Sequence, residues 1–317
     1  MKIRMKKAPN ESTIEETFPL FIADKMANGI QEETAKTYQS QFNAVSKHID
    51  ISIKFCDLQQ SDINNMILSM RQSDLAFNSV SSYARMFRTF INWAVQEGYT
   101  NVSVPKIKDR ETAQETYTEQ ELIALLKKPK KTCSFSENRN WVIINFLVNC
   151  GGRSKTIRFI KNKDVDLSQS QVLYRHTKNG TVQLIPLCSA MVRILREYMT
   201  IRGGERDDYL FPNIYGEQLS QAALINTIKR YNNSRGVENT SLHSFRHTFA
   251  KMYLLDCGGD AIRLQKILGH KTLVMTKRYC NLYDQDIKRD FDRLSPLTRV
   301  SPNKPTIKRI NKKEITT

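Results

Sequence analysis

Glycine ends a helix abruptly, and residues 241–279 carry two such stops within a row of short amphipathic patterns. Thr240 or Ser241 caps the first pattern, in which Leu242, Phe245, Phe249 and Met252 recur at three- and four-residue steps as one buried stripe. Gly258 and Gly259 close it. Asp260 opens a second helix ending at Gly269, and Thr272 starts a short third that carries Tyr279. A stretch punctuated in this way folds as three short helices with polar groups gathered at their junctions. His243 and Arg246, three apart beside the stripe, project towards one point. His270 follows at a turn, and Tyr279 lies two turns beyond it.

The charge narrows what such a site acts on. With 49 Lys and Arg against 32 Asp and Glu, the 317-residue chain carries a formal charge of +17, which favours a polyanionic partner. Nucleic acid is expected rather than a membrane, because no apolar run reaches bilayer length and Met1-Lys2-Ile3-Arg4 lacks a signal-peptide core. The six cysteines form no CxxC pair, which fits a reducing cytosol. No Gly-rich phosphate loop is present, and the adjacent Asp207 and Asp208 are too few carboxylates for two-metal chemistry. His243 and His247, four apart, invite a zinc reading, but Ser244 stands where a metalloprotease helix has glutamate. We therefore expect no metal and no cofactor, and read His247 as structural.

Taken in order, residues 1–12 form a basic, flexible start, and Thr13 with Glu16 has capping-box spacing. Residues 13–99 then read as a small four-helix domain without strands, with helices beginning near Ile14, Glu32, Ser61 and Asn78. Lys36, Arg85 and Arg88 lie on its polar and basic faces, as DNA-phosphate contacts or as an ordinary solvated surface. Residues 100–117, with Pro105 and mixed charge, read as a linker outside either core. A second domain, residues 118–297, opens on the capping box of Thr118 and Glu121. It continues through an apolar helix ending at Gly151-Gly152, with Arg153 next, and two strand-like runs separated by Lys178-Asn179-Gly180. Asn-Gly between such runs predicts a β-hairpin with Lys178 near its tip. Residues 298–317 are polar and basic, and read as a disordered tail.

Two arginines, a hairpin lysine, two histidines and a tyrosine suit phosphodiester transfer to a protein hydroxyl. Forked, permanently charged guanidinium groups clamp the charge that grows on the non-bridging oxygens, lysine protonates the leaving sugar oxygen, and a histidine or water helps the tyrosine lose its proton.

In order and spacing, Arg153 after a glycine pair, Lys178, His243-x-x-Arg246, Leu268-Gly269-His270 and Tyr279 nine residues further resemble the tyrosine recombinases, or phage integrases. The resemblance covers residues 118–297 by motif and the preceding helical region by architecture. It implies a mainly α fold with a small antiparallel β-sheet: a SAM-like four-helix core-binding domain and an α+β catalytic domain, closing as a C-shaped clamp on duplex DNA. It implies six catalytic residues, Arg153, Lys178, His243, Arg246, His270 and the nucleophile Tyr279, acting through a 3′-phosphotyrosine without metal, ATP or cofactor. Implied partners are double-stranded DNA core sites, a homodimer on one site, a homotetramer at synapsis and accessory directionality or DNA-bending proteins, in a bacterial cytoplasm. Thr156 stands where the family commonly has an acidic residue, and Gly152 replaces an apolar one. Residues 284–293 read as a helix docking on a neighbouring subunit or packing on its own domain. The wording of residues 245–251 and 264–270 looks like integrases of transposons and related elements, so integration or excision of a mobile element is expected. Xer-like resolution of chromosome or plasmid dimers, a type IB topoisomerase and a non-catalytic DNA-binding protein on the same fold are the alternatives.

Overall fold

The computed structural model describes residues 11–108, 115–176, 180–277 and 279. The chain divides into two compact units, Met1–Ala113 and Gln114–Thr317.

In the first unit, four helices surround an aromatic core. They are α1 (Ile14–Ala27), α2 (Glu32–Val45), α3 (Gln60–Gln72) and α4 (Phe77–Gln96). The capping box is formed: the Thr13 hydroxyl accepts from the Glu16 N–H while the Glu16 carboxylate accepts from the Thr13 N–H, so two otherwise orphaned donors are satisfied. Phe90 is fully buried and meets Phe18, Phe21, Phe42, Phe87 and Trp93, and Phe18 stacks on Phe42 at 3.8 Å. Burying each such ring contributes roughly 1.5–3 kcal/mol. This core reaches further along the chain than the sequence implies. Val104, in the expected linker, is buried here, and Ser81 donates to the Ile107 carbonyl at 3.1 Å.

The second unit is built around α6 (Phe135–Cys150), whose Trp141, Val142, Ile143, Ile144, Phe146 and Leu147 are buried on several faces, as a central helix requires. Around it lie α5 (Glu119–Leu126), α7 (Ser154–Arg158), α8 (Ser189–Arg202), α9 (Gln221–Ser234), α10 (Leu242–Lys251), α11 (Ala261–Leu268) and α12 (Leu273–Lys277). Strands β1 (Val165–Asp166), β2 (Gln171–Tyr174) and β3 (Gln183–Pro186) form one antiparallel sheet in that order, with Val172 opposite both Val165 and Ile185. The hairpin predicted from Asn-Gly is thus present, with a short third strand that the sequence pattern did not reveal. Tyr117, also placed in the linker by its sequence, is part of this core. Its ring stacks on Phe245 at 4.2 Å, its N–H donates to the Thr248 hydroxyl at 2.8 Å, and its phenol oxygen accepts from Asn232 at 3.0 Å. Among the described residues, no helix is long and apolar enough to cross a membrane.

Candidate active site

The site forms where four helix ends of the second unit meet. Helix α10 is capped by Ser241, whose hydroxyl accepts from the Ser244 N–H. It packs on α6 with Phe245 fully buried, which fixes Arg246, one residue on, at the same interface with 4 % exposure. Arg246 donates to the Gly151 carbonyl at 3.0 Å and to the Leu268 carbonyl at 2.7 Å. These acceptors lie at the C-terminal ends of α6 and α11, where carbonyls lack intrahelical partners and the helix dipole favours cations. Arg153, the N-cap of α7, donates to the same Leu268 carbonyl at 3.4 Å.

Gly151 makes this convergence possible. It ends α6 at φ +58, and a Cβ there would stand 2.6 Å from Phe249 Cδ1 and 3.0 Å from a Leu268 methyl. Gly152 is explained by its neighbours too: its missing side chain leaves room for the Tyr174 hydroxyl and Ile157. Tyr174 is buried with its hydroxyl 2.8 Å from the Cys150 thiol, and burial pushes that thiol up to about 11, so it stays protonated.

The electrostatics are one-sided. Burial first, and then the charge of Arg153, lower Arg246 to about 10; burial lowers Arg153 as well, opposed by Tyr279. Both remain charged at neutral pH, and among the described residues no carboxylate contributes to either shift. Thr156 is buried and neutral in the position where an acidic residue is common. Helix-end carbonyls orient the two cations without cancelling them, so the pair has unspent affinity for an anion.

Three histidines border this charge. His270 follows Gly269, which ends α11 at φ +63, and is 9 % exposed with Nδ1 2.9 Å from the Thr276 hydroxyl. Burial and the charges of Arg246 and Arg153 push it down to about 4. His243 is lowered by loss of surrounding water, then by Arg246 and Arg153. His247, one turn along α10, has its ring 4.4 Å from that of His243 and nearly perpendicular to it. All three are neutral at pH 7. Tyr279 lies in a turn beyond α12, its N–H bonded to the Thr276 carbonyl at 2.9 Å. Its ring is parallel to that of His270 at 6.4 Å, and its hydroxyl is 2.7 Å from His247 Nδ1.

Arg153, His243, Arg246, His270 and Tyr279 therefore share one electrostatic neighbourhood. Lys178 lies outside the described residues, as do Cys280 and the 284–293 segment. The β2–β3 pair is tied to the site from β3, where Gln183 donates to the Lys266 carbonyl at 3.0 Å. From sequence His247 reads as structural, because contact with a tyrosine 32 residues away has no local signature. In the first unit Lys36 and Arg85 are exposed, Lys36 pairs with Glu32 at 2.7 Å, and Arg88 donates to the Pro105 carbonyl at 3.4 Å. Gln41 of α2 donates to Ser82 of α4 at 3.0 Å.

A site of this kind on this fold is that of an enzyme that breaks and rejoins DNA strands through a tyrosine. Residues 115–286, more than half of the chain, match the phage integrase family, and residues 17–110 match the phage integrase SAM-like domain. The chain belongs to the phage integrase family of tyrosine recombinases. Tyrosine recombinase XerC of Staphylococcus aureus is 26% identical over 280 residues, covering 84% of this chain and 92% of that protein. Tyrosine recombinase XerA of Saccharolobus solfataricus is 29% identical over 217 residues, 67% of this chain and 66% of that protein, just under two thirds of its length. The Tn1549 transposon integrase, solved in complex with transposon right end DNA, shares the fold with a TM-score of 0.72 at 18% identity, over 89% of this chain and 99% of that one. A lambda integrase tetramer bound to a Holliday junction gives 0.70 at 17% identity, over 87% and 80%.

Proposed function

We propose that this recombinase integrates or excises a mobile element. Tyr279 attacks a scissile phosphate to give a 3′-phosphotyrosine and a free 5′-hydroxyl, which attacks the partner duplex. Arg153 and Arg246 clamp the non-bridging oxygens, His243 and His270 hydrogen-bond the phosphate, and Lys178 protonates the leaving oxygen. The observation that carries this reading is the buried Arg246 beside the half-buried Arg153, with no carboxylate among the described residues contributing to either, and Tyr279 in their field. The phosphodiester energy is held in the protein–DNA bond, so the reaction consumes no nucleotide. A Thr276 hydroxyl that donates to His270 Nδ1 leaves the other ring nitrogen to donate to phosphate.

Lys36, Arg85 and Arg88 are proposed as phosphate contacts of the helical region, residues 13–99, and the enzyme as a cytoplasmic homodimer on one core site that forms a tetramer at synapsis. The mobile-element assignment is supported by the wording of residues 245–251 and 264–270. The likeness to XerC over 92% of its length favours dimer resolution as a second reading. Covalent capture from a library of nicked, randomised duplexes tests both. Adducts should form with wild type and vanish in Tyr279→Phe. Recovered sequences matching the ends of an element that carries the gene support integration, and a match to a single chromosomal locus away from it overturns that in favour of resolution. No adduct from a library that the protein binds overturns the recombinase mechanism itself.

A further inference from the structure

We propose that His247 is the proton acceptor for Tyr279, receiving the hydroxyl proton at Nδ1 as the tyrosine attacks DNA; this rests on Tyr279 being the nucleophile. The geometry is direct. Nδ1 stands 2.7 Å from the Tyr279 hydroxyl, within the range of an O–H···N hydrogen bond, and the two rings lie 5.7 Å apart. His270 has its own Nδ1 engaged with Thr276. His247 is half-buried on a helix anchored by Phe245 and Arg246, so the acceptor is held in place.

The charges around it set when it acts. Among the described residues, His243 and Arg246 on its own helix and Tyr279 from beyond α12 are the titratable groups that face it. Burial, then the electrostatic influence of His243 and Arg246, push it down to about 4, so in the DNA-free enzyme it is a neutral acceptor. A phosphodiester between Arg153 and Arg246 brings negative charge beside the ring and raises its basicity. The acceptor therefore strengthens when substrate arrives. As the Tyr279 Oη–P bond forms and the P–O5′ bond breaks, the hydroxyl proton passes to Nδ1 to give an imidazolium, and the departing O5′ takes a proton from Lys178. Rejoining runs the reverse, with O5′ returning its proton to Lys178 and the imidazolium returning its own to Tyr279.

The test uses the full chain and a nicked duplex recovered by the covalent capture described above. His247→Ala should bind this DNA as wild type does but form the adduct about 10²- to 10⁴-fold more slowly near neutral pH. His247→Asn, which offers an acceptor but takes no proton, should remain slow, and it decides the matter should the alanine variant fold poorly. Two responses separate proton transfer from simple positioning. Replacing the nucleophile with the more acidic 3,5-difluorotyrosine, or raising the pH from about 7 to about 9, should recover at least about tenfold of the lost rate in the His247 variants, because a phenol gives up its proton more readily under either change. A bridging 5′-sulfur, which needs no protonation to leave, should rescue Lys178→Ala and not His247→Ala. Wild-type cleavage rates in His247→Ala overturn the proposal, as does a slow variant indifferent to nucleophile acidity and pH. Absence of adduct from wild type defeats the nucleophile assignment instead.

Discussion

Arg153 and Arg246 donate to one oxygen, the carbonyl of Leu268, at 3.4 and 2.7 Å. Two cations on one neutral acceptor repel each other, and the arrangement persists because Arg246 has a second anchor in the Gly151 carbonyl. The fork of arginine is needed for that: a guanidinium spans two helix ends, while an ammonium is a single point of charge. Arg246→Lys should therefore keep part of the DNA affinity and lower the rate of adduct formation about 10²- to 10³-fold, the range for loss of a donor to a charge-developing oxygen. Single-turnover cleavage measured beside DNA binding checks this, and an equal loss in both would show that Arg246 serves binding alone.

An anion should relieve the same repulsion. Sulfate or inorganic phosphate at millimolar concentration is expected to raise the unfolding temperature of the wild-type second unit, because a ligand that binds only the folded state stabilises it by mass action. Arg153→Gln should show a smaller response to the anion and a higher unfolding temperature in its absence, since one of two unneutralised, partly buried charges is gone. A variant less stable than wild type in anion-free buffer would count against this account of the pair.

The helices of both units were legible because their signals are local. Capping boxes at Thr13 and Thr118 and the glycine stop at Gly269 each depend on residues within one or two turns. The linker was misread at both ends for the opposite reason. Tyr117 is a single aromatic residue in polar surroundings whose burial depends on the distant Phe245, Thr248 and Asn232, and Val104 packs into the first unit's core from a stretch that has neither helical nor strand periodicity. Helix α10 gave a similar lesson. Its stripe predicts a regular helix up to Gly258, but after Lys251 the chain widens into a π-helical turn, Met252–Asp256, with the Cys257 N–H bonded to the Met252 carbonyl at 2.9 Å. Of the site, the motif spacings pick out Arg153, His243, Arg246, His270 and Tyr279 as residues, but the carbonyls that aim the arginines carry no side-chain identity and leave no trace in the sequence.

Gly151→Ala tests the junction on which those carbonyls depend. A left-handed backbone costs a residue with a Cβ about 1–2 kcal/mol, and crowding Phe249 and Leu268 adds about 1–3 kcal/mol. Denaturant unfolding of the second unit should show a loss of about 2–5 kcal/mol by this sum. Phe249→Ala in the same chain opens space at 2.6 Å from the new methyl and should remove the Phe249 share of the crowding, leaving the backbone cost in place. If the double variant loses as much as the two single variants added together, the clash is not the cause.

The histidines predict how stability responds to acid. His247 and His270 lie near 4 in the folded chain against an ordinary 6.5, and His243 is lowered in the same direction. The unfolded chain therefore binds these protons first. Stability of the second unit is fully present above about pH 6.5, falls as the pH drops from there towards about 4, and stops falling on this account once the folded histidines are protonated too. The cause is burial beside arginines, so a bound anion that offsets their charge should narrow the difference and flatten the slope. Unfolding curves between about pH 7 and about pH 4.5, with and without sulfate, measure both effects. His270→Gln should show a shallower decline than wild type, because it removes one proton from the uptake on unfolding while leaving Arg153 and Arg246 in place. A wild-type second unit whose stability is flat across that interval would mean that the histidines are as accessible to protons in the folded chain as in the unfolded one.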